Sequence, residues 1–457
     1  MSIGPPSGMR DWLPQDALLR QHLMETISNV YRLYGYLPID TPAMEDLAVL
    51  LGKGGGENEK LLFKILKRGE KLTDAQAASG DLADYGLRFD LTVPLARFVA
   101  THQGKLPKIF RRYHIAPVWR ADRPQKGRFR EFYQCDIDVV GGASSAYEVE
   151  VITATERVLK ALNLGKYWFR ISDKRLLPLL LHGFDVPETK IDQIAILFDK
   201  LDKIPPMQFD DELSALLSRE STAWDELQIL IRKASPWVHK EILLSSNTSY
   251  YKECFAKVKD ALIRGQIEEV CANLDSILQS VRGINGASRI IFHPIMVRGM
   301  DYYTGPVYEA VVEGYPASIL GGGRYDGLIG RFAGKEIPAV GCSIGFERIL
   351  SILQERTSGS AATSISRVLL VNEGQSADLL QQHAEQLRSA GLCIEIYLDQ
   401  DDPGKQFKYA ETACIRWAIR SFDPLASSVT VRDLPKRTDL TIPLAEFLSL
   451  LAGKTPS

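Results

Sequence analysis

No stretch of about 18 or more consecutive apolar residues occurs in the sequence, which argues against any bilayer-crossing helix. The opening MSIGPPSGMRDWLP lacks the apolar run of a secretion signal, so a cytoplasmic chain with no membrane partner is expected. Cysteine is sparse. Six residues (Cys135, Cys254, Cys271, Cys342, Cys393 and Cys414) lie scattered without a CxxC or metal-ligand spacing. That pattern excludes a disulfide scaffold and a zinc module, and leaves reduced thiols. Excess charge is absent too: 55 Lys and Arg against 57 Asp and Glu leave −2, so a nucleic-acid partner must be met by local basic patches. Lys53-Gly54-Gly55-Gly56-Glu57 lacks the GxxxxGK[ST] spacing of a phosphate loop and reads as a flexible turn.

What is present is a long chain, 457 residues and 45% apolar, enough for about two or three domains with proper cores. Residues Asp16 to Tyr34 carry apolar side chains every three or four positions and predict a helix stopped by Gly35. Tyr36 to Pro42 reads as a strand closed by proline. In Leu87-Arg88-Phe89-Asp90-Leu91-Thr92-Val93-Pro94, alternation predicts a strand with Arg88, Asp90 and Thr92 on one face. A carboxylate and a hydroxyl two residues apart suit an ammonium ligand, though an ordinary polar strand face accounts for them better when taken alone.

The most informative stretch is Val118 to Gly142. Its centre, with Asp122-Arg123-Pro124 and Lys126-Gly127, is turn chemistry, and its return arm has the period-two spacing of a strand. Arg120, Arg123, Lys126, Arg128 and Arg130 make the loop cationic, whereas Gln134 and Asp138 share one strand face. A phosphate-bearing ligand suits the loop, and a polar, cationic group suits the sheet.

Tyr147 to Leu162 predicts an amphipathic helix, and residues 172–285 lose strand character for heptad-like spacing, an all-helical insertion within an α/β surround. After it come Arg298-Gly299-Met300-Asp301-Tyr302-Tyr303-Thr304-Gly305 and then Gly321-Gly322-Gly323-Arg324-Tyr325-Asp326-Gly327. The three glycines fit a mobile turn and a ligand-facing turn equally well. Gly341-Cys342-Ser343-Ile344-Gly345-Phe346-Glu347-Arg348 is a small-residue strand entering a helix, with Arg348 in a first turn where it needs an anionic partner. Residues 355–366 form a Ser/Thr/Gly/Ala linker, and 367–457 alternate strand and helix as a small α/β domain with a mostly parallel sheet.

Taken together, these segments resemble histidyl-tRNA synthetase, a class II aminoacyl-tRNA synthetase. The first helix with GYLPIDTP resembles motif 1, WRADRPQKGRFREFYQCDID motif 2 and GCSIGFER motif 3. RGMDYYTG and GGGRYDG are similar to the two signatures peculiar to the histidine enzyme, and RFDLTVP to its substrate strand. The resemblance implies an α+β catalytic domain with an antiparallel class II sheet in two parts, 1–171 and 286–354. The helical insertion at 172–285 divides them, and a C-terminal α/β anticodon-binding domain follows at 367–457. It implies ATP and Mg²⁺, L-histidine and tRNA(His) as partners, and a homodimer through motif 1.

By the same resemblance, Arg120 and Arg298 are the catalytic cations at the α-phosphate. Asp90 and Thr92 hold the α-ammonium of histidine. Gln134, Asp138, Tyr302 and Tyr303 line the histidine site together with Arg120 and Arg298, Asp138 and Tyr303 read the imidazole, and Tyr325 closes the pocket. Arg120, Arg128, Arg130 and Arg348 serve ATP, and no metal ligand is assigned. Lys405-Gln406-Phe407-Lys408-Tyr409-Ala410 matches the family's tail helix, but Trp417 to Pro424 lacks the usual Gly-Glu turn. Two alternatives remain at this stage: the synthetase-like regulatory subunit of ATP phosphoribosyltransferase, and a non-catalytic module that senses histidine or tRNA.

Overall fold

The structure, a computed structural model, describes residues 3–52, 57–77, 81–124, 127–201, 204–234, 247–285, 289–296, 302–315, 317–356 and 367–451. Arg298, the Lys53–Gly56 turn, Lys126 and most of the linker lie outside the described residues. The chain divides into two compact units, the first including Arg20–Ser358 and the second Gly359–Ser457.

The chain opens with α1 (Pro14–Leu33), whose residues from Arg20 on belong to the first unit, followed there by β1 (Leu37–Pro38), β2 (Met44–Asp46), α2 (Leu47–Leu51), β3 (Lys64–Leu66), α3 (Glu70–Ala77), β4 (Ala83–Leu87) and α4 (Thr92–His102). The hairpin arms are β5 (Phe110–Trp119) and β6 (Glu131–Val140), followed by α5 (Ala146–Ala161) and β7 (Tyr167–Asp173). Among the described residues only helical elements come next, notably α6 (Leu176–Gly183), α7 (Glu188–Phe198), α8 (Pro206–Leu216), α9 (Thr222–Ala234), α10 (Lys252–Phe255) and α11 (Ala261–Asn285). Then come β8 (Ile290–Phe292), β9 (Pro306–Val312), β10 (Leu320–Arg324), α12 (Asp326–Ala333), β11 (Ala339–Gly345) and α13 (Phe346–Arg356).

Eight strands form the main sheet in the order β1-β5-β6-β11-β10-β9-β7-β8. Every pairing from β5 to β7 is antiparallel, and only the outermost pairs, β1 with β5 and β7 with β8, are parallel. One face is apolar: Cys135, Ile137 and Val139 of β6 are fully buried, and the Tyr31 hydroxyl of α1 donates to Cys135 O. Gln134, Asp136 and Asp138 alternate onto the other face.

In the first unit two expectations change. RFDLTVP is not a strand: β4 ends at Leu87 and α4 starts at Thr92. Asp90 Oδ1 accepts from Val93 N at 3.1 Å and Pro94 occupies the first turn, both of which start helices. The Gly321-Gly322-Gly323 run is not a turn either, but lies within β10 between two paired strands. Glycine is required there by close approach. A Cβ on Gly322 would stand 2.2 Å from Gly341 O, and one on Gly341 would stand 1.8 Å from Asp138 Oδ1.

The second unit contains β12 (Arg367–Leu370), α14 (Ala377–Ser389), β13 (Cys393–Ile396), α15 (Pro403–Thr412), β14 (Trp417–Asp423), β15 (Ser428–Asp433), β16 (Thr438–Pro443) and α16 (Leu444–Leu451). Its sheet, ordered β13-β12-β14-β15-β16, is parallel only through its first three strands and antiparallel beyond. The expected mostly parallel sheet is therefore mixed, because β14 to β16 form a meander. Val368, Leu370, Leu380, Trp417, Ile419 and Phe447 build the core on one side, and Leu369, Val371, Ala410 and Ala418 build it on the other.

Gly322→Ala should lower the urea midpoint of the full chain by an amount corresponding to about 1–3 kcal/mol, the usual cost of overpacking. An unchanged midpoint would show that β10 and β11 can part without cost.

Candidate active site

The register of the hairpin arranges the site. Across β5 and β6, Arg112 lies opposite Asp138, His114 opposite Asp136 and Ala116 opposite Gln134. Arg112 is fully buried. One of its Nη atoms lies 2.6 Å from Asp138 Oδ2 and 3.9 Å from Asp136 Oδ2, and also donates to Leu91 O at 3.3 Å. A buried guanidinium keeps its charge, so its carboxylate neighbours are what make its burial tolerable.

On the other side of β6, the residues that share this face are all small. Gly341, Ser343 and Gly345 of β11 pair with Asp138, Asp136 and Gln134, and Gly321 and Gly323 of β10 continue the row. The backbone itself is the surface there, and the Asp138 carboxylate leans over Gly341 into the space a side chain would fill. Ser343 Oγ accepts from Gln134 Nε2 at 2.7 Å.

Phenols enclose the acidic row. The Tyr325 hydroxyl donates to Asp138 Oδ1, and the Tyr302 ring lies 5.8 Å from Tyr325 and 5.0 Å from Tyr303. Tyr302 is hydrogen-bonded to Thr92. Arg120, at the end of β5, donates from Nε to Phe89 O at 2.9 Å, lies over Phe132 and feels the charge of Asp90. Asp90, Thr92, Arg120, Gln134, Asp138, Tyr302, Tyr303 and Tyr325 thus belong to one neighbourhood. Asp90 Oδ2 and Gln134 Oε1 are buried there without a hydrogen bond inside the protein.

The remaining candidates stand apart. Arg128 pairs with Asp122 at 2.9 Å and is half-exposed, and Arg130 donates to Asp122 O at 3.0 Å. Arg348 donates to Ser318 O, so a carbonyl stands among its acceptors where an anion was expected. Arg112, Asp136 and Ser343 were missed by sequence reasoning. Their signal was positional: residues equally far from a hairpin tip pair across it, which sets Arg112 against Asp138.

Burial governs ionisation in this neighbourhood. It pushes Asp136 up to about 7 and Asp90 up to about 6, against the pull of Arg112 on the first and of the Val93 N–H and Arg120 on the second. The Asp138 carboxyl is raised for the same reason, with Arg112 opposing. Burial, with Arg112 and Arg88 adding, depresses His114 to about 3, so it stays neutral despite Asp40 at 3.1 Å.

A carboxyl raised on folding holds a proton that the unfolded chain has already lost. Its contribution therefore erodes stability as pH rises from 3.8 through about 7, and levels off above. His114 acts oppositely, and costs stability only as pH falls from 6.5 toward about 3. Asp136→Asn should therefore gain on the wild type in unfolding temperature between pH 5.5 and pH 8, with the larger advantage at pH 8. A constant difference across that range would mean that Asp136 does not titrate there.

Against this geometry, comparison with known proteins is consistent. The family model for histidyl-tRNA synthetase matches residues 8–349, and that for an anticodon-binding domain matches residues 366–454. The histidine–tRNA ligase of Leifsonia xyli subsp. xyli is 42% identical over 357 residues, covering 77% of this chain and 80% of its own. The histidyl-tRNA synthetase structure from Nostoc sp. PCC 7120 matches with a TM-score of 0.79 at 28% identity, covering 99% of each chain. A Bacillus halodurans C structure described as an ATP phosphoribosyltransferase regulatory subunit/histidyl-tRNA synthetase matches at TM-score 0.70 and 20% identity, over 89% of this chain and 97% of its own, a likeness of fold. With its antiparallel catalytic sheet and C-terminal anticodon-binding domain, the chain belongs to the histidyl-tRNA synthetase family.

Proposed function

We infer that this chain activates L-histidine with ATP and transfers the histidyl group to tRNA(His), as a class II aminoacyl-tRNA ligase. The observation that carries the residue assignment is the acidic row on β6. Gln134, Asp136 and Asp138, with Asp90 nearby, offer buried acceptors around a single paired guanidinium, Arg112. Such a place favours a small ligand rich in N–H donors and positive charge, which histidine supplies through its ammonium and imidazole. In this assignment Asp90 and Thr92 take the ammonium, Asp138 and Tyr303 take the imidazole, and Gln134 lines the site. Tyr302 and Tyr325 wall the pocket.

Arg120 lies beside Asp90 and is suited to the histidine carboxylate and the α-phosphate together. The carboxylate is already ionised and attacks the α-phosphorus without a general base; pyrophosphate leaves and the histidyl-adenylate remains. Positive charge at the phosphorus is what the protein must contribute, from Arg120 and, by resemblance, Arg298. The terminal 3′-hydroxyl of tRNA(His) then attacks the carbonyl carbon and AMP leaves. Arg128, Arg130 and Arg348 are assigned to the outer phosphates. Mg²⁺ is assigned to ATP itself. Among the described residues no group of three or more His, Cys, Asp or Glu side chains is placed to hold a metal. The homodimer through motif 1 and the cytoplasmic location belong to the same proposal; among the described residues no helix is long and apolar enough to cross a membrane.

Histidine-dependent ATP–pyrophosphate exchange without tRNA tests the reading directly. A regulatory subunit or a sensing module would give none. Within it, Arg120→Ala should slow exchange by about a hundredfold to a thousandfold, the cost of one missing charge-stabilising donor. Asp138→Asn should raise the KM for histidine by about tenfold or more, the worth of a charge-assisted hydrogen bond, and leave the KM for ATP within about twofold. Equal changes in both constants would make Asp138 a structural residue.

A further inference from the structure

The segment before α1 is bound to the hairpin in a way that neither the fold nor the substrate site requires. Gly8 O accepts from Arg130 N at 2.8 Å, and Ser7 O accepts from Arg130 Nη1 at 3.4 Å. Gly8 has φ of +83°, and a Cβ there would stand 2.8 Å from Arg130 Cγ and 2.9 Å from Pro124 Cγ. Glycine thus serves both the left-handed conformation and the close approach.

From Gly8 onward, rings and guanidinium groups alternate. The Arg10 guanidinium lies between Phe129 at 4.0 Å and Trp12 at 3.7 Å. Arg20 covers Trp12 from another position at 3.9 Å, and faces Tyr133 at 4.7 Å and Phe346 at 5.2 Å. Arg20 also pairs with Glu347 at 3.3 Å, whose two carboxylate oxygens each accept from Tyr133 N at 3.0 Å. The ladder therefore begins at Phe129, beside Arg128 and Arg130, and ends at the first turn of α13, which carries Arg348. Guanidinium over a ring resists sliding without consuming the donors of either partner, so it fixes position while leaving the hairpin's own hydrogen bonds intact.

We propose that Ser7–Trp12 is a positioning element for the return arm of the β5–β6 hairpin, and that its ring–guanidinium ladder sets where Arg128 and Arg130 present their charges to ATP. This rests on the assignment of those arginines to the nucleotide. Trp12 touches neither substrate in that assignment, so it is a positioning residue.

The test uses the full chain and Trp12→Ala, with two readouts. Amide exchange at residues 127–133 should accelerate by about tenfold while residues 134–140 of β6 keep their protection. In histidine-dependent pyrophosphate exchange, the KM for ATP should rise by about tenfold, with the KM for histidine within about twofold. Trp12→Phe, which keeps a ring between the two guanidinium groups, should restore both. Unchanged amide exchange at 127–133 would overturn the proposal, and so would equal rises in both KM values accompanied by a lower unfolding temperature. If Trp12→Ala does not fold, Arg10→Met removes one rung and keeps the apolar stem, and the same readouts decide. If wild-type protein shows no histidine-dependent exchange while Trp12→Ala still loosens 127–133, the functional reading fails and the positioning role stands.

Discussion

One buried guanidinium among carboxylates organises this molecule. Arg112 has lost all contact with water, and its nearest countercharges are Asp138 and Asp136. Breaking such a pair by removing one partner typically costs about 3–5 kcal/mol, because the survivor is left charged and unsolvated. The fold must therefore deliver the two sides together, and it does so through register. An antiparallel β5–β6 hairpin sets Arg112 across from Asp138, whereas a slip of one residue would turn every one of these side chains into the apolar face that Cys135, Ile137 and Val139 occupy. The glycines of β10 and β11 follow from the same constraint. Asp138 needs room beside Arg112, and Gly341 supplies it.

That constraint also explains which parts of the fold were legible beforehand. The hairpin arms, α1, α5 and the strand-to-helix passage at Gly345–Phe346 carry unbroken periodicity, and each appears close to where periodicity places it. The failures share a cause: tertiary contacts decided against the local pattern. Three glycines in a row weaken a strand by propensity, yet β10 lies where only backbone fits between its neighbours. Alternation around Asp90 looked like a strand face, but residues 88–92 are buried on all sides, so alternation there carried no information about solvent. The strands β2 and β16 escaped notice because the first has only three residues and the second is a largely exposed edge.

Of the site, the residues inside recognisable strings were legible and the residue that balances them was not. Asp138, Gln134, Tyr302 and Tyr325 were named from their strings. Arg112 adjoins Arg111, and the pair resembles a solvated basic stretch. Only one of them is solvated: Arg111 pairs with Glu150 at 2.7 Å and is partly exposed, while Arg112 turns inward. Strand alternation predicts that adjacent residues part in this way, but choosing which one faces the core requires knowing what stands opposite.

The distribution of charge then divides the first unit's ligand-facing surface into two regimes. Deep on β6 the side chains are acceptors, carboxyl groups whose pKa burial raises, with one guanidinium already engaged. Toward the hairpin tip they become donors: Arg120, then Arg128 and Arg130, which lean on Asp122 and on the Ser7–Trp12 segment. A molecule cationic at one end and anionic at the other has one favourable orientation across that gradient, and Arg120 marks the crossing point because it feels Asp90 on one side and Asp122 and Arg128 on the other. The gradient also separates two kinds of precision. The acidic end is rigid because it belongs to the sheet's core, and a shift there would strand buried charge. The basic end has no such core, and among the described residues what stands against it is the stack of rings and guanidinium groups built by Arg10, Trp12 and Arg20. In the proposed assignment a carboxylate from one regime must meet a phosphate held by the other, which needs both ends fixed to about half an ångström. The two ends would then be held by different means, the sheet's core at one and the ring–guanidinium stack at the other.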